Sequence, residues 1–123
     1  MNQRELMLTR RKNWYNYHIP GMTNLHRIKK NAVFIRAHNS DEHEISKVKV
    51  CLSLLRQGHE FITEAERNMS KGEARTIVDI INLDTGMEIE IETNKSRAKG
   101  LIKEEGVRNV EVKRLWEAKH GGT

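Results

Sequence analysis

The most constraining feature of this sequence is a pair of β-rich segments joined by a tight turn within residues 76–92. Isoleucine and valine crowd the first segment on both faces, which is typical of a central strand covered on both sides. Gly86 ends the turn and can adopt the positive φ that hairpin turns require. In the second segment acidic and apolar residues alternate, so the two kinds of side chain point to opposite faces. We therefore predict an antiparallel hairpin within a sheet.

The carboxylates of this hairpin predict a cation site. Asp79 interrupts the apolar strand and has no obvious structural use there. The next strand carries on one face Glu88, Glu90 and Glu92. Three glutamates in a row repel one another unless their face is solvated or holds a cation. Paired strands lie about 4.8 Å apart, so Asp79 and one glutamate can converge on a single ion, and carboxylate oxygens suit Mg²⁺. The alternative is the solvated face of an edge strand, where charge is common.

Length and composition favour one intracellular domain. A chain of 123 residues is most simply a single domain, and no apolar run approaches the roughly 20 residues of a membrane span. The first ten residues lack the apolar stretch of a secretion signal. The single cysteine, Cys51, excludes an internal disulfide and a multi-cysteine zinc site, and its apolar helical surroundings predict a buried, inert thiol. We expect a cytoplasmic or nucleoid-associated protein with no membrane partner.

Positive charge is concentrated in the N-terminal third of the chain. Residues 1–38 carry eight lysine and arginine side chains but only one acidic residue, Glu5, which gives this segment a net charge of +7 against +5 for the whole chain. A basic N-terminal arm on a slightly acidic body is the pattern expected of a protein that binds a polyanion. The alternative is a flexible tail whose charge only aids solubility.

Aromatic residues, which are scarce elsewhere, lie within this arm. The run Trp14-Tyr15-Asn16-Tyr17-His18 can stack on unpaired bases, and a second basic patch follows the turn at Pro20-Gly21. We therefore predict that the arm contacts DNA through six basic residues and one tryptophan. They are Arg10, Arg11, Lys12, Trp14, Arg27, Lys29 and Lys30.

Residues 39–118 are predicted to form the core domain, which begins with a helix. Ser40 is a favourable N-cap, acidic residues occupy the first turn, and Gly58 ends the pattern. Apolar residues recur at helical spacing and form a stripe, which neighbours that include Cys51 make wider. We therefore expect the other elements to cover this helix well. The apolar stripe consists of Ile45, Val48, Leu52 and Leu55.

Three strands, a second helix and a final strand follow this helix. Strands are predicted over residues 59–66, 75–83, 87–93 and 107–116, and a helix capped by Asn94 over Lys95–Glu105. A loop is predicted over residues 67–73 and a flexible tail over 119–123. The order α-β-β-β-α-β predicts an α/β fold with a central mixed sheet flanked by helices.

With this order the core resembles the PD-(D/E)XK nuclease superfamily, which has the restriction-endonuclease-like fold and includes archaeal Holliday-junction resolvases. The resemblance covers about residues 42–116. It rests on Val78-Asp79-Ile80 in one strand, Glu90-Ile91-Glu92 in the next, and His43-Glu44 at the head of the preceding helix. The stretch Gly58–Glu64 is also similar to small archaeal nuclease-like proteins. The resemblance implies the nuclease fold and a dependence on Mg²⁺, for which Mn²⁺ would substitute.

The resemblance further implies roles for individual residues. Asp79, Glu90 and Glu44 would hold the metal. Glu92 stands where the usual pattern has lysine, as in some restriction enzymes that look similar and have Glu-x-Glu. Glu92 would bind a second metal or orient the attacking water. Lys95, three residues further on, would lower the pKa of that water or neutralise the developing charge.

We therefore expect a Mg²⁺-dependent DNA endonuclease that hydrolyses phosphodiester bonds. A homodimer is expected too, since two sites cut two strands and a C2 pair is the commonest assembly. One alternative is a nuclease-fold protein that binds DNA or a protein partner without cutting, which the missing lysine favours. Another is a structural or regulatory protein whose arm binds protein or RNA.

Overall fold

The computed structural model describes residues 1–21, 27–68, 77–106 and 109–117. Within these ranges the chain forms three helices and five strands, and none of the helices is long and apolar enough to cross a membrane. The predicted tail, 119–123, and most of the predicted loop after residue 67 lie outside the described residues. The elements are α1 (Gln3–Trp14), β1 (Tyr17–His18), α2 (Asp41–Arg56), β2 (Phe61–Arg67), β3 (Ile77–Asn82), β4 (Glu88–Glu92), α3 (Lys95–Glu104) and β5 (Val110–Arg114).

The strands form one mixed sheet in the order β1-β2-β3-β4-β5. β1 to β4 pair antiparallel, and β5 pairs parallel with β4 after the crossover through α3. The predicted α/β fold with a mixed sheet is therefore confirmed, and so is the predicted order of elements from α2 to β5. The predicted turn between β3 and β4 also forms, with Gly86 at a φ of +76°.

Both faces of the sheet are covered by apolar side chains. On one face, α2 contributes Cys51 and Leu54, which pack against Phe61, Ile80 and Ile89. Cys51 is buried as predicted, and burial raises the pKa of its thiol to about 12, so the thiol is inert at neutral pH.

The opposite face is covered by the N-terminal segment. Ile62 follows Phe61 in β2, so its side chain points away from α2. It packs on this opposite face with Ile81, Tyr17 and Ile28. A third cluster joins α3 to β5 and consists of Ala98, Val110 and Val112. The sheet thus has helices on both faces, which fixes the ends of β2, β3 and β4 relative to α2.

Part of the segment predicted to be a basic arm is folded against the core. Arg10 on α1 donates two hydrogen bonds of 2.9 Å to the carboxylate of Asp84, and Asn13 donates to the carbonyl oxygen of Leu83 at 2.7 Å. Asn13 also lies so close to Gly86 that a Cβ there would come 3.2 Å from its side-chain oxygen. These contacts hold α1 against the β3–β4 turn.

The apolar stripe of α2 is exposed, which corrects the expectation of a well-covered helix. Its four residues, Ile45, Val48, Leu52 and Leu55, are 41–55% exposed. The residues that α2 buries are instead Glu44, Lys47, Cys51 and Leu54. The helix begins at the predicted cap, Ser40, but it presents a partly charged face to the sheet.

Candidate functional site

The N-terminal end of α2 brings charged side chains together against the middle of the sheet. The hydroxyl of Ser40 accepts a hydrogen bond of 3.2 Å from the His43 N–H and starts the helix there. Residues three or four apart lie on the same side of a helix, so Glu44 and Lys47 both point inward. We use the name α2 cluster for His43, Glu44, Lys47, Glu64 and Asp79.

Lys47 joins two carboxylates of the α2 cluster and is completely buried. Its Nζ lies 2.7 Å from Glu44 Oε1 and 3.2 Å from Glu64 Oε2, and it also donates to the carbonyl oxygen of Phe34 at 3.0 Å. These three partners match the three protons of an ammonium group. A buried lysine is costly unless its charge is paired, so Lys47 and its carboxylates must be considered as a unit.

His43 joins the same helix to β3. Its Nδ1 lies 2.5 Å from Glu44 Oε2, and its Nε2 lies 3.3 Å from Asp79 Oδ2. The hydrogen bond to Asp79, partly opposed by burial and reinforced by Glu44, raises the pKa of His43 to about 9. The ring is therefore an imidazolium at neutral pH, held between two carboxylates.

Glu44 is strongly ionised although it is buried. Burial acts to raise its pKa, but hydrogen bonds from Lys47, from the Arg36 N–H and from His43 lower it to about 2. The Arg36 N–H lies 2.7 Å from Glu44 Oε1. Glu44 is thus a fixed negative charge at the centre of the cluster.

Glu64 lies directly opposite Asp79 on the neighbouring strand. The pairs on either side of these two residues are Thr63 with Ile80 and Ala65 with Val78. Glu64 has a φ of +52°, a conformation that non-glycine residues rarely adopt and that is common at functional sites. Its carboxylate reaches Lys47, and burial raises its pKa.

Asp79 lies where β3 and β4 separate. The regular pairing between these strands includes Ile80 with Ile89. One residue earlier, Asp79 Oδ2 accepts a hydrogen bond of 2.7 Å from the Ile91 N–H. The carboxylate of Asp79 therefore lies between the two strands and faces His43.

A polar groove adjoins the α2 cluster. It has a volume of about 190 Å³ and is lined by His38, His43, Glu92 and Arg97 among others. Because His43 lines this groove and also contacts Asp79, a phosphate group in the groove would lie next to the cluster. Arg97 adds a positive charge on the far wall.

Glu90 lies on the other face of the sheet from α2, although its carboxylate accepts a hydrogen bond from the Asp79 N–H. Ile89 and Ile91 pack on the α2 face, so Glu90 and Glu88, which alternate with them, point to the opposite face. Glu88 Oε2 accepts a hydrogen bond of 2.7 Å from the Tyr17 hydroxyl and lies 2.8 Å from Arg67 Nε. Both glutamates are buried, so the solvated strand face considered above is wrong for these two residues.

The burial of Glu90 predicts a pH-dependent stability. Burial, and then the negative charges of Asp79 and Glu88, raise the pKa of Glu90 to about 9, from 4.5 in the unfolded chain. Between these two values the native protein holds the extra proton, so its stability falls as pH rises. Glu90→Gln mimics the neutral acid and removes this effect. We expect the difference in the free energy of unfolding, variant minus wild type, to be larger at about pH 8 than at about pH 5.

Urea unfolding at the two pH values checks this prediction. His43 also loses a proton in the same range, so the difference between variant and wild type is the quantity to compare. Glu111→Gln, which neutralises a half-exposed carboxylate on β5, is the control and should change little. An identical pH dependence in Glu90→Gln and the wild type would contradict the burial of a neutral Glu90.

The other predicted catalytic residues lie at the end of β4 and at the start of α3. Glu92 Oε1 accepts hydrogen bonds from the N–H groups of Thr93 and Asn94 and lies 3.6 Å from Arg97 Nη2. Glu92 thus lines the polar groove and also orders the turn before α3. Lys95 is the first residue of α3 and is exposed.

The predicted DNA-contacting residues fall into two groups. Arg10 is clamped to Asp84, Trp14 donates its indole N–H to the carbonyl oxygen of Ile28, and Arg27 stacks 3.9 Å from the centre of the Tyr15 ring. Four others are exposed, although the Nζ of Lys30 lies 3.5 Å from Glu60 Oε1 and 5.0 Å from the centre of the Trp14 ring. These are Arg11, Lys12, Lys29 and Lys30.

Sequence reasoning did not assign Lys47 or Glu64 to the site. The signal for Lys47 was its spacing from Glu44, three residues along the same helix. The signal for Glu64 was a carboxylate in an otherwise apolar strand next to the strand of Asp79. Neither signal is decisive without the register of β2 against β3.

Comparison of the chain with protein-family models, with curated proteins and with solved structures finds no match. In the described residues, no three acidic, histidine or cysteine side chains are arranged as ligands of one metal ion. The carboxylates of the α2 cluster are instead bridged by His43 and Lys47.

Proposed function

We propose that this chain is a DNA endonuclease of the restriction-endonuclease-like fold, with the α2 cluster as its reaction site. The proposal is supported above all by the meeting of three carboxylates with a lysine. Glu44 comes from α2, Glu64 from β2 and Asp79 from β3, and Lys47 lies between two of them. The α-β-β-β-α-β order that surrounds the cluster is the order that the resemblance to these nucleases implies.

The donor groups of the cluster suit the Mg²⁺ that the resemblance implies. Carboxylate oxygens are the ligands that Mg²⁺ prefers, and Glu64 Oε2 is a buried oxygen whose contact with Lys47 Nζ, at 3.2 Å, is longer than that of Glu44. Glu44, Glu64 and Asp79 would hold the ion, which requires their carboxylates to turn towards one another, because in this structure they are not arranged as ligands of one ion. When bound, Mg²⁺ supplies a Lewis acid that activates water and offsets the charge on the phosphate.

The remaining residues contribute positive charge and protons. Lys47 keeps a buried ammonium between Glu44 and Glu64, where it holds these two carboxylates in place. His43 carries a proton at Nε2, on the side of Asp79, and can donate a proton to a leaving oxygen. Arg97, across the groove, can pair with the phosphate itself.

A cleavage assay tests the proposal. Supercoiled plasmid and branched DNA are incubated with the protein in Mg²⁺ or Mn²⁺ and, as a control, in excess EDTA. We expect nicked or cut products that require the metal. If neither substrate is cut while the protein binds both, the endonuclease proposal is wrong.

A second candidate function is DNA binding without cutting. The observation that favours it is the presence of protein cations, Lys47 and His43, between the carboxylates of the cluster. In a protein that only binds, these ion pairs would be permanent. Binding with a steep salt dependence and no cleavage would support this second candidate.

The exposed basic residues provide a separate prediction about DNA affinity. Arg11 and Lys12 are exposed on α1, and the contact between Arg10 and Asp84 holds this helix in a fixed position. We expect the double variant Arg11→Ser, Lys12→Ser to bind duplex DNA more weakly, with the slope of log K against log salt reduced by about two.

Fluorescence anisotropy at several salt concentrations measures this slope. The matched control is Lys99→Ser, Lys103→Ser, which removes the same charge from exposed positions on α3. Equal losses in both double variants would show that net charge alone decides the affinity, and the predicted contact with α1 would be wrong.

A further inference from the structure

The exposed stripe of α2 has the spacing of a helix–helix seam. Its residues recur at intervals of three, four and three positions, which is the a and d pattern of a coiled coil. Each is more than two-fifths exposed in the structure. Next to it Ile35, also exposed, borders a groove of about 470 Å³ that is lined by Ile45 and Val48. A helix of 16 residues thus carries a partly charged face inward and an apolar stripe outward.

The stripe is complementary to itself when a second copy is placed antiparallel. Around a two-fold axis at position 50, Ile45 of one copy meets Leu55 of the other, and Val48 meets Leu52. This is the a-to-d pairing of antiparallel helices. The same patch on both subunits is what a C2 interface requires.

Charge is also complementary in this orientation. Asp41 lies in the first turn of α2 and Arg56 in the last, and both are exposed. In an antiparallel pair the acidic end of each helix lies within about one turn of the basic end of its partner, and the helix dipoles are opposed. Lys49 flanks the seam near its centre, where its long side chain can extend to water.

We propose that the α2 stripe is the interface of a homodimer, formed by two antiparallel α2 helices from two copies of this chain. The proposal does not depend on the endonuclease activity, because it concerns the outward face of α2 and not the α2 cluster. The apolar side chains supply the binding energy, and the Asp41–Arg56 pairs fix the antiparallel direction.

Sedimentation velocity of the full chain over a range of concentrations tests the interface. We expect the wild type to form dimers as the concentration rises and Val48→Glu to stay monomeric, since the substitution places two buried charges near the two-fold axis. Ser53→Glu adds the same charge at an exposed position off the seam and should leave dimerisation unchanged. Circular dichroism shows whether each variant folds.

Charge reversal tests the direction of the pairing. Asp41→Arg and Arg56→Glu should each weaken the dimer severalfold, and the double variant should recover most of the loss. A wild type that is monomeric at every concentration would overturn the proposal. So would a dimer that survives Val48→Glu, whereas a dimer without recovery in the double variant would overturn the antiparallel pairing.

Discussion

Replacing Lys47 with methionine is expected to lower the free energy of unfolding by about 3–5 kcal/mol. The ammonium group is fully buried and contacts Glu44 and Glu64. Methionine fills much of the same volume but removes the buried cation between two carboxylates, so that, among the described residues, Glu44 keeps only His43 and Glu64 keeps only Arg36 as an ion-pair partner. Removing one partner of a buried ion pair costs more than the pair contributes, because the remaining charge stays desolvated. Chemical denaturation of variant and wild type measures the loss.

Lys49→Met is the matched control for this prediction. It makes the same substitution on the same helix at an exposed position, where we expect a change within about 0.5 kcal/mol. Adding Glu64→Gln to Lys47→Met removes one of the stranded charges, so the double variant should lose less than the sum of the two single variants. A Lys47→Met variant as stable as Lys49→Met would contradict the buried ion network.

Asp79→Asn is expected to reduce DNA cleavage by at least about 100-fold while the fold is retained. Asparagine keeps an oxygen that can accept the hydrogen bond from the Ile91 N–H. It removes the negative charge that faces His43 and that would hold a metal ion. Because the proposed DNA contacts are the exposed basic residues, we expect binding to change little. Initial rates of plasmid nicking, with binding measured in EDTA, check both expectations.

Two further variants sharpen the test of Asp79. Glu42→Gln neutralises an exposed carboxylate in the first turn of α2 and should cut DNA at the wild-type rate. Glu90→Gln should also retain cleavage, because glutamine mimics the neutral acid and keeps an oxygen that can accept the hydrogen bond from the Asp79 N–H. Undiminished cleavage by Asp79→Asn would place the reaction elsewhere. Loss of cleavage in Glu90→Gln but not in Asp79→Asn would point to the opposite face of the sheet.

The order of the elements from α2 to β5 could be predicted from sequence because their signals are local, whereas α1 and β1 were not predicted. Ser40 and Asn94 cap their helices as expected, and their side chains accept hydrogen bonds from N–H groups of the first turn. Gly86 adopts the positive φ of the predicted turn. The isoleucine and valine residues of β3 predicted a central strand. None of these features depends on which elements pack together.

The rotation of α2 could not be predicted from sequence. The helix carries two stripes at helical spacing, and the more apolar one, which includes Ile45 and Leu52, lies outward. The inward stripe contains Glu44 and Lys47, and a fully buried lysine is rare enough that the pattern argues against it. Burial of Lys47 becomes favourable in the fold, where Glu64 on β2 pairs with it as well as Glu44, and the contact with Glu64 spans 17 positions of the chain.

The candidate site was predicted in part. Glu44 and Asp79 were chosen from sequence, and the structure joins them through His43. The glutamates of β4 were placed correctly on a shared face, but the sequence does not say whether that face meets α2. Since Ile89 and Ile91 take the α2 side, Glu90 lies on the other. Strand alternation defines two faces and does not assign either to a neighbour.

The most direct test of the proposed reaction site is anomalous diffraction from crystals of the protein soaked with Mn²⁺. A Mn²⁺ ion in the α2 cluster would scatter anomalously at a position set by its ligands. We predict a peak about 2.1 Å from carboxylate oxygens of Asp79 and Glu44. A peak at Glu88 and Glu90 instead, or none at the α2 cluster in a protein that cuts DNA with Mn²⁺, would contradict the proposed site.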